Sequence, residues 1–321
     1  MAQDSVTRRQ AAALLAAMAA CASAASAHAQ FEFRHVDGSR LGAPEPPLYT
    51  PPVSIAAVGD LYRRMTAPIR VNGQGPFPFV VDTGSNQTVI AQELAAQLGL
   101  PIGPVSPING VAGVQMAPTT AARLDVGSRG RTGAAMSILP QAAIGGAGLL
   151  GLDGLEGQAV TLDFRGQALR IEPGRRLGRD PDAITVTARR RSGQLTLVDA
   201  DLAGLRLTAF LDSGAQNTIG NMALRALAQA RDPKNPWWRT PIVSATGQSI
   251  DAEIADLPRL RVGGLRVPNW PVAFADLHTF RMWNLIDKPA ILLGVDVLSR
   301  FEYVCLDFAR DEVRFRLPQT A

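Results

Sequence analysis

The chain of 321 residues repeats a set of short motifs in the same order, and this internal duplication limits its fold more than any other feature. The sequence DTGSNQTV, which begins at Asp82, returns as DSGAQNTI, which begins at Asp212, at an offset of 130 residues. The pairs LDVGS and LRVGG, LLGLD and LLGVD, and the two copies of LDF follow at offsets of 136, 143 and 144 residues. Offsets that rise in order are typical of a duplicated domain with loop insertions. The sequence therefore predicts two homologous halves.

Each half is predicted to form a small, mostly β lobe. Short apolar segments alternate with turn residues, a pattern that predicts β-hairpins, and a short helical segment follows each of the two Asp motifs. We expect an N-terminal lobe at residues 50–174 and a C-terminal lobe at residues 184–319. The linker between them, residues 175–183, is rich in Pro, Gly and charged residues. The expected fold class is two β-barrel-like lobes with short helices and a cleft between them.

The N-terminal segment has the pattern of an export signal. Residues 1–29 combine a basic start, an Ala/Leu-rich stretch and small residues up to Ala29, which predicts cleavage there and release to the periplasm or the medium. The paired arginines resemble a twin-arginine signal, and a general export signal is the alternative. A second alternative is lipoprotein processing and anchoring at Cys21. Residues 30–49 are predicted to form an extended lead-in without a fold of its own.

Composition excludes several classes of protein. With 46% hydrophobic and 19% charged residues, the chain is typical of soluble globular proteins. The net charge of +4 is modest, and no dense block of Lys and Arg is interleaved with aromatic residues, so nucleic acid is not an expected partner. No segment after the signal is apolar enough to span a membrane. We expect a monomer with two pseudo-symmetric lobes.

The two aspartates that open the repeated motif suggest acid–base chemistry. Two lobes related by a pseudo-twofold axis bring their equivalent turns together, so that Asp82 and Asp212 would meet on the floor of the cleft. Two carboxylates within a few ångströms cannot easily both ionise, and such a pair shares one proton. One carboxyl can then take a proton from a water molecule while the other polarises a carbonyl group. This chemistry needs no metal and no cofactor, and we expect neither.

The neighbouring residues suit the same arrangement. Gly84 and Gly214 permit a tight turn and let backbone N–H groups approach the carboxylates. Thr83 and Ser213 each carry a hydroxyl group that could bond across to the opposite turn and hold the two lobes in register.

The two turns also differ at one position. Ser85 could donate a hydrogen bond to the outer oxygen of Asp82, whereas Ala215, its counterpart, cannot do so for Asp212. We expect unequal surroundings for the two carboxyls, although this difference does not indicate which of them holds the proton. Asp153 and Asp296, which end the two Leu-Leu-Gly motifs, are predicted to cap turns and not to catalyse.

The motifs carry a resemblance to a known family. Asp-Thr-Gly-Ser and Asp-Ser-Gly-Ala, each preceded by apolar residues, resemble the active-site turns of aspartic proteases, in which paired carboxyls share a proton. LLGLD and LLGVD resemble the later apolar-apolar-Gly element that packs beside such a turn. The short lobes are similar to the retropepsin-like, or retroviral-type, fold, with both lobes in one chain as in pepsin-like enzymes. The resemblance implies an aspartic-type endopeptidase acting on peptides or proteins, with Asp82 and Asp212 as catalytic residues.

The resemblance also implies β-hairpin flaps over the cleft, for which residues 109–116 and 244–251 are the candidates. Two other functions stay open at this point. The chain could be an inactive peptide- or protein-binding module that keeps the acid-protease fold, for which Ala215 and the unfamiliar flap sequences leave room. A glycosidase is the weaker alternative. Its two carboxylates stand about 5–10 Å apart in a sugar-shaped groove, whereas the duplication here predicts two equivalent turns that meet at an axis.

Overall fold

The computed structural model describes residues 53–59, 64–155, 157–174, 180–191, 194–197, 200–262, 264–267 and 269–318. The predicted export signal, the lead-in and Cys21 lie outside these described residues, as does most of the predicted linker.

The N-terminal lobe consists mainly of strands. They are β1 (Val53–Ala56), β2 (Val58–Gly59), β3 (Met65–Val71), β4 (Gln74–Val81), β5 (Val89–Ala91), β6 (Val105–Asn109), β7 (Val114–Val126), β8 (Arg129–Leu139), β9 (Gly148–Leu150), β10 (Gln158–Asp163) and β11 (Ala168–Pro173). Within the described residues of this lobe two short helices accompany them, α1 (Gln92–Gln97) and α2 (Gln141–Ile144). Helix α1 begins ten residues after Asp82, where the sequence predicts a helix.

The C-terminal lobe repeats this pattern with more and shorter strands. They are β12 (Ala183–Arg191), β13 (Gln194–Leu197), β14 (Ala200–Leu202), β15 (Leu205–Arg206), β16 (Thr208–Leu211), β17 (Ile219–Gly220), β18 (Trp238–Val243), β19 (Ser249–Leu257), β20 (Leu260–Val262), β21 (Leu265–Val267), β22 (Trp270–Phe274), β23 (Ala290–Leu293), β24 (Tyr303–Asp307) and β25 (Glu312–Arg316). The helices are α3 (Met222–Arg231), α4 (His278–Met282) and α5 (Val295–Leu298). Across the described ranges, no helix combines the length and the apolar character that crossing a bilayer requires.

The N-terminal lobe closes into a barrel. Its sheet runs in the order β2-β3-β4-β9-β5-β8-β7-β6, and an additional pairing of β3 with β7 joins six of these strands into a ring. In the C-terminal lobe the corresponding strands are divided between two sheets, β15-β14-β20-β21 and the run β13-β16-β23-β17-β22-β19-β18. The predicted fold class is confirmed, with one barrel closed and its counterpart split into two sheets.

Each lobe positions its aspartate by the same local pairing. Strand β4 runs parallel to β9, with Val81 opposite Leu150, and the N–H of Asp82 donates to the Leu150 carbonyl at 3.0 Å. Strand β16 runs parallel to β23 in the same way, and the N–H of Asp212 donates to the Leu293 carbonyl at 3.0 Å. The Leu-Leu-Gly motifs therefore lie in and directly after β9 and β23, the strands that hydrogen-bond to the two aspartate turns.

A shared sheet joins the lobes. Strands β10 and β24 pair antiparallel, with Val160 opposite Leu306 and Leu162 opposite Val304, in the order β1-β11-β10-β24-β25-β12. The strands that carry the two Leu-Asp-Phe motifs are thus paired, and the motifs lie toward opposite ends of that pair, with Asp163 opposite Tyr303 and Asp307 opposite Ala159. Because backbone hydrogen bonds cross between the lobes, the sheet fixes how the two turns face each other. The exact bounds of the lobes and of the linker stay predictions.

Candidate active site

The two aspartates lie at the ends of β4 and β16, and both are buried, with 1% of each residue exposed. Oδ1 of Asp82 accepts a hydrogen bond from the N–H of Gly84 at 2.9 Å. Oδ1 of Asp212 accepts from the N–H of Gly214 at 2.9 Å and from that of Ala215 at 3.0 Å. One oxygen of each carboxyl is therefore anchored to its own turn.

The structure brings the two carboxyls together across the lobe interface. A Cβ atom placed on Gly84 would lie 2.3 Å from Cγ of Asp212, and one placed on Gly214 would lie 2.3 Å from Cγ of Asp82. Each carboxyl thus rests directly on the glycine of the opposite turn, and the two side chains are within hydrogen-bonding reach of each other. Any side chain at either glycine would separate the pair.

Hydroxyl groups fix the two turns to each other. The Thr83 hydroxyl donates to the carbonyl of Leu211 at 3.0 Å and accepts from the N–H of Ser213 at 3.0 Å. The Ser213 hydroxyl donates to the carbonyl of Val81 at 2.7 Å and accepts from the N–H of Thr83 at 3.1 Å. All four bonds are buried and cross between the lobes, so they hold the carboxyls at a fixed separation.

Burial and mutual repulsion favour the neutral forms of the two carboxyls. Burial raises the pKa of Asp82 to about 6, against the lowering effect of hydrogen bonds from Gly84 and Asp212 and of the Arg64 charge. Burial, and then the negative charge of Asp82, raise the pKa of Asp212 well above its usual range. Within the described part of the chain, Oδ2 of neither aspartate accepts from an N–H or hydroxyl group. Two buried carboxyls this close together cannot easily both ionise.

The hydroxyl of Ser85 does not make the hydrogen bond to Asp82 that the sequence suggests. Its hydroxyl donates to the carbonyl of Gln87 at 2.7 Å, and not to the outer oxygen of Asp82. The local turn brings the Gln87 carbonyl within reach two residues along the chain, and Ser and Thr hydroxyls commonly form such local backbone bonds. The hydroxyl of Ser85 therefore stabilises the turn itself and does not make the two carboxyls unequal.

A second pair of hydroxyl groups, those of Thr88 and Thr218, was not predicted from the sequence. Each of them supports the turn of its own lobe. Thr88 donates through its hydroxyl to Oδ1 of Asp153 at 2.7 Å, and Thr218 donates in the same way to Oδ1 of Asp296 at 2.7 Å. Both aspartates also accept from the backbone N–H of the same threonine. Asp153 and Asp296 thus cap the turns, as predicted. The threonines recur at equivalent positions of the duplicated motif, and this recurrence was the signal that could have identified them.

Both candidate flap segments form hairpins, β6–β7 and β18–β19, and their tips meet. Val111, at the first tip, is fully buried in an apolar cluster whose other members, such as Phe210 and Ala215, belong to the C-terminal lobe. The N–H of His278 donates to the Val111 carbonyl at 2.7 Å. The N–H of Ala112 donates to Oε1 of Gln248, at the second tip, at 3.2 Å. The first hairpin therefore docks on the opposite lobe in this structure.

The site combines two buried carboxyls with backbone N–H donors from their own turns. Among the residues that the structure describes, no three His, Cys, Asp or Glu side chains are grouped as ligands of a metal ion. What the arrangement supplies is a pair of buried carboxyls in contact with each other, held on turns between two lobes. Such a pair can activate water and polarise a carbonyl group in one step.

Two protein-family models match the chain in tandem. Residues 67–157 match a model described as gag-polyprotein putative aspartyl protease, and residues 198–297 match a model described as aspartyl protease. Each matched range contains one aspartate of the pair. A search of curated proteins gave no significant match.

Proposed function

Because the chain belongs to the retropepsin-type aspartyl protease families, we propose that it is an exported aspartic endopeptidase whose catalytic residues are Asp82 and Asp212. The observation that carries this proposal is the contact between the two carboxyls, each buried and each resting on the glycine of the opposite turn. Both aspartates come from one chain, so a monomer is sufficient for the reaction.

The mechanism follows from the shared proton. The ionised carboxyl removes a proton from a water molecule held between the pair, and the water oxygen attacks the carbonyl carbon of the substrate. The protonated carboxyl donates its proton to the carbonyl oxygen, which gives a neutral tetrahedral intermediate. The carboxyl that took the water proton then gives it to the leaving nitrogen as the C–N bond breaks. The other carboxyl recovers its own proton as the carbonyl re-forms, so the pair returns to its starting state.

Backbone geometry supports the chemistry by keeping the pair rigid. The four hydrogen bonds of Thr83 and Ser213 leave the carboxyls little freedom to rotate apart, and preorganised groups lower the cost of reaching the transition state. Peptide and protein chains are the proposed substrates. The first hairpin, with Val111 docked on the C-terminal lobe, is the segment that we expect to move when a substrate binds.

Activity is tested with purified protein and an unfolded protein substrate, over a range from about pH 3 to pH 8. Asp82→Asn and Asp212→Asn are each expected to abolish cleavage while leaving the fold intact. Asp287→Asn, which changes an exposed carboxyl, is the matched control and should cleave as the wild type does. Wild-type protein that folds but cleaves nothing across this range would favour the peptide-binding module instead.

Export is tested separately, because it depends on residues outside those described. The proposed signal, residues 1–29, predicts a mature protein that begins at Gln30 and is found outside the cytoplasm. Intact-mass measurement of the protein from cell fractions distinguishes this from lipidation at Cys21, which adds acyl chains and retains the protein in the membrane fraction. Full-length protein in the cytoplasm would contradict export.

A further inference from the structure

Arg64 is a buried cation close to the candidate active site. It lies immediately before β3, and with 1% exposure it is among the largest side chains in the interior. Its Nη2 donates to the carbonyl of Ile144 at 3.2 Å. A guanidinium group keeps its charge at all relevant pH values, so this residue places a permanent positive charge inside the N-terminal lobe.

The strand register places this charge opposite one aspartate. Strands β3 and β4 pair antiparallel, with Thr66 opposite Val80 and Ala67 opposite Phe79. Continued by two residues beyond the last recorded pair, this register brings the backbone of Arg64 level with that of Asp82. Opposite residues of an antiparallel pair have Cβ atoms about 5 Å apart on the same face. The Arg64 charge accordingly lowers the pKa of Asp82, against the larger opposing effect of burial.

Among the residues that the structure describes, the main influences on the pKa of Asp212 are burial, Asp82 and the backbone N–H groups of Ala215 and Gly214, and they include no positive charge. Strands β13 and β16 pair antiparallel, with Thr196 opposite Phe210 and Leu197 opposite Ala209. The same extension by two residues sets Gln194 opposite Asp212. The Arg64 charge therefore makes the field across the two carboxyls asymmetric, although their backbone hydrogen bonds are nearly symmetric.

The charged groups that act most strongly on the pair are the two carboxyls on each other and Arg64 on Asp82. Repulsion between the carboxyls is the same for either position of the proton, so it cannot decide which of them ionises. The Arg64 charge can decide, because it favours an ionised neighbour and lies on one side only.

Resting on the proposed function, we propose that Arg64 is a positioning residue that keeps Asp82 ionised, so that Asp82 is the base and Asp212 carries the proton. Oδ2 of Asp82 then takes the proton from water as the new C–O bond forms, and Asp212 donates to the carbonyl oxygen. On collapse, Asp82 returns the proton to the leaving nitrogen, and Asp212 recovers its own from the intermediate. Arg64 does not contact the reacting atoms in this scheme.

The first test compares Arg64→Gln, which installs the neutral residue of the other lobe, with Arg64→Lys, which keeps the charge. Loss of the charge should move the acidic limb of the kcat/KM profile to higher pH by about one unit, a roughly ten-fold loss of activity on that limb. Arg64→Lys should restore most of the wild-type limb. A residue that only supports the fold would lower activity equally at every pH, and an unmoved limb in folded Arg64→Gln protein would overturn the assignment.

The second test needs no change at Arg64 and no catalytic activity. Wild-type protein labelled with ¹³C at the aspartate carboxyls is observed by NMR at about pH 7, and the two resonances are assigned by their loss in Asp82→Asn and Asp212→Asn. The Asp212 carboxyl should have the chemical shift of a protonated group, and the Asp82 carboxyl that of an ionised one. A protonated Asp82 and an ionised Asp212 would overturn the inference even if the protein proved to be a protease. An ionised Asp82 and a protonated Asp212 would support it even if no substrate were cleaved.

Discussion

Thr83 and Ser213 exchange reciprocal hydrogen bonds across the lobe interface: the hydroxyl of each accepts the backbone N–H of the other, at 3.1 and 3.0 Å. Each hydroxyl also donates to the strand that leads into the opposite turn. These bonds join the ends of β4 and β16 into one rigid unit. The positions of the two carboxyls, which follow directly in the chain, are fixed by it.

Removal of one of these hydroxyls should weaken both the fold and the reaction. Thr83→Ala leaves the buried N–H of Ser213 and the Leu211 carbonyl without a partner, which costs about 1–3 kcal/mol of the free energy of unfolding. Thr83→Ser keeps the hydroxyl and is the matched control. Denaturant unfolding and kcat measured on the same preparations give both effects. Equal losses in the two variants would show that the methyl group, and not the hydroxyl, is what matters.

The glycines beneath the carboxyls should tolerate no side chain. Gly84→Ala places a methyl group 2.3 Å from Cγ of Asp212, so the two carboxyls must separate, and we expect kcat to fall by about 100-fold or more. Gly146→Ala is the control, because its Cβ would meet Val80 at 3.5 Å, an ordinary contact distance. Comparable activity of Gly84→Ala and the wild type would show that the carboxyls need not touch.

The raised pKa values predict how stability depends on pH. A carboxyl whose pKa is higher in the folded state than in the unfolded state contributes stability that is fully present below the unfolded pKa of 3.8 and is lost as pH rises through the folded value, about 6 for Asp82. Wild-type protein should therefore lose stability between about pH 4 and pH 7. Asp212→Asn removes the repulsion, and at neutral pH it should be more stable than the wild type by on the order of 1–3 kcal/mol.

Thermal unfolding of the wild type and Asp212→Asn at several pH values measures this difference. Asp287→Asn, an exposed carboxyl, serves again as the control and should follow the wild type. A stability difference between Asp212→Asn and the wild type that stays constant across this range would contradict a shared proton between buried carboxyls.

The docking of the first hairpin on the C-terminal lobe leads to a prediction about hydrogen exchange in its tip. Val111 is fully buried against the C-terminal lobe, whereas Val114, in the same hairpin, is 56% exposed. Val111→Asp places a charge in an apolar cluster, which is unfavourable enough to release the tip. Amide hydrogen exchange in residues 109–116 should then become at least about ten-fold faster, while Val114→Asp should leave it near the wild-type rate. Equal exchange in the two variants would show that the tip is not held by this contact.

Several features of the site could be predicted from the sequence because they are local and duplicated. The Asp-Thr-Gly and Asp-Ser-Gly motifs follow apolar strands in both copies, and the Leu-Leu-Gly motifs follow in the same order, 67 and 80 residues after the aspartates. Recurrence in order identifies the elements that pack equivalently in two lobes. Sequence reasoning used this signal for the aspartates and glycines but overlooked Thr88 and Thr218, which carry it equally well.

Other features could not be predicted because they depend on partners far apart in the chain. The hydroxyl of Ser85 donates to the Gln87 carbonyl because of the conformation of the turn, which the sequence does not specify. The place of Val111 in the opposite lobe depends on how the two lobes are oriented, to which the shared sheet of β10 and β24 contributes. A period of two along a strand shows which side chains share a face, but it does not identify the neighbouring strand.

The sequence by itself determined that this protein has two similar β lobes, each presenting one aspartate on a glycine-containing turn, because apolar alternation and turn chemistry are properties of neighbouring residues. Only the tertiary structure decided that the two carboxyls touch, that Arg64 stands opposite one of them, and that one hairpin tip lies in the other lobe. The physical reason is that charge and burial act through distance in space. Residues 130 positions apart become neighbours only when the strands have paired and the lobes have met.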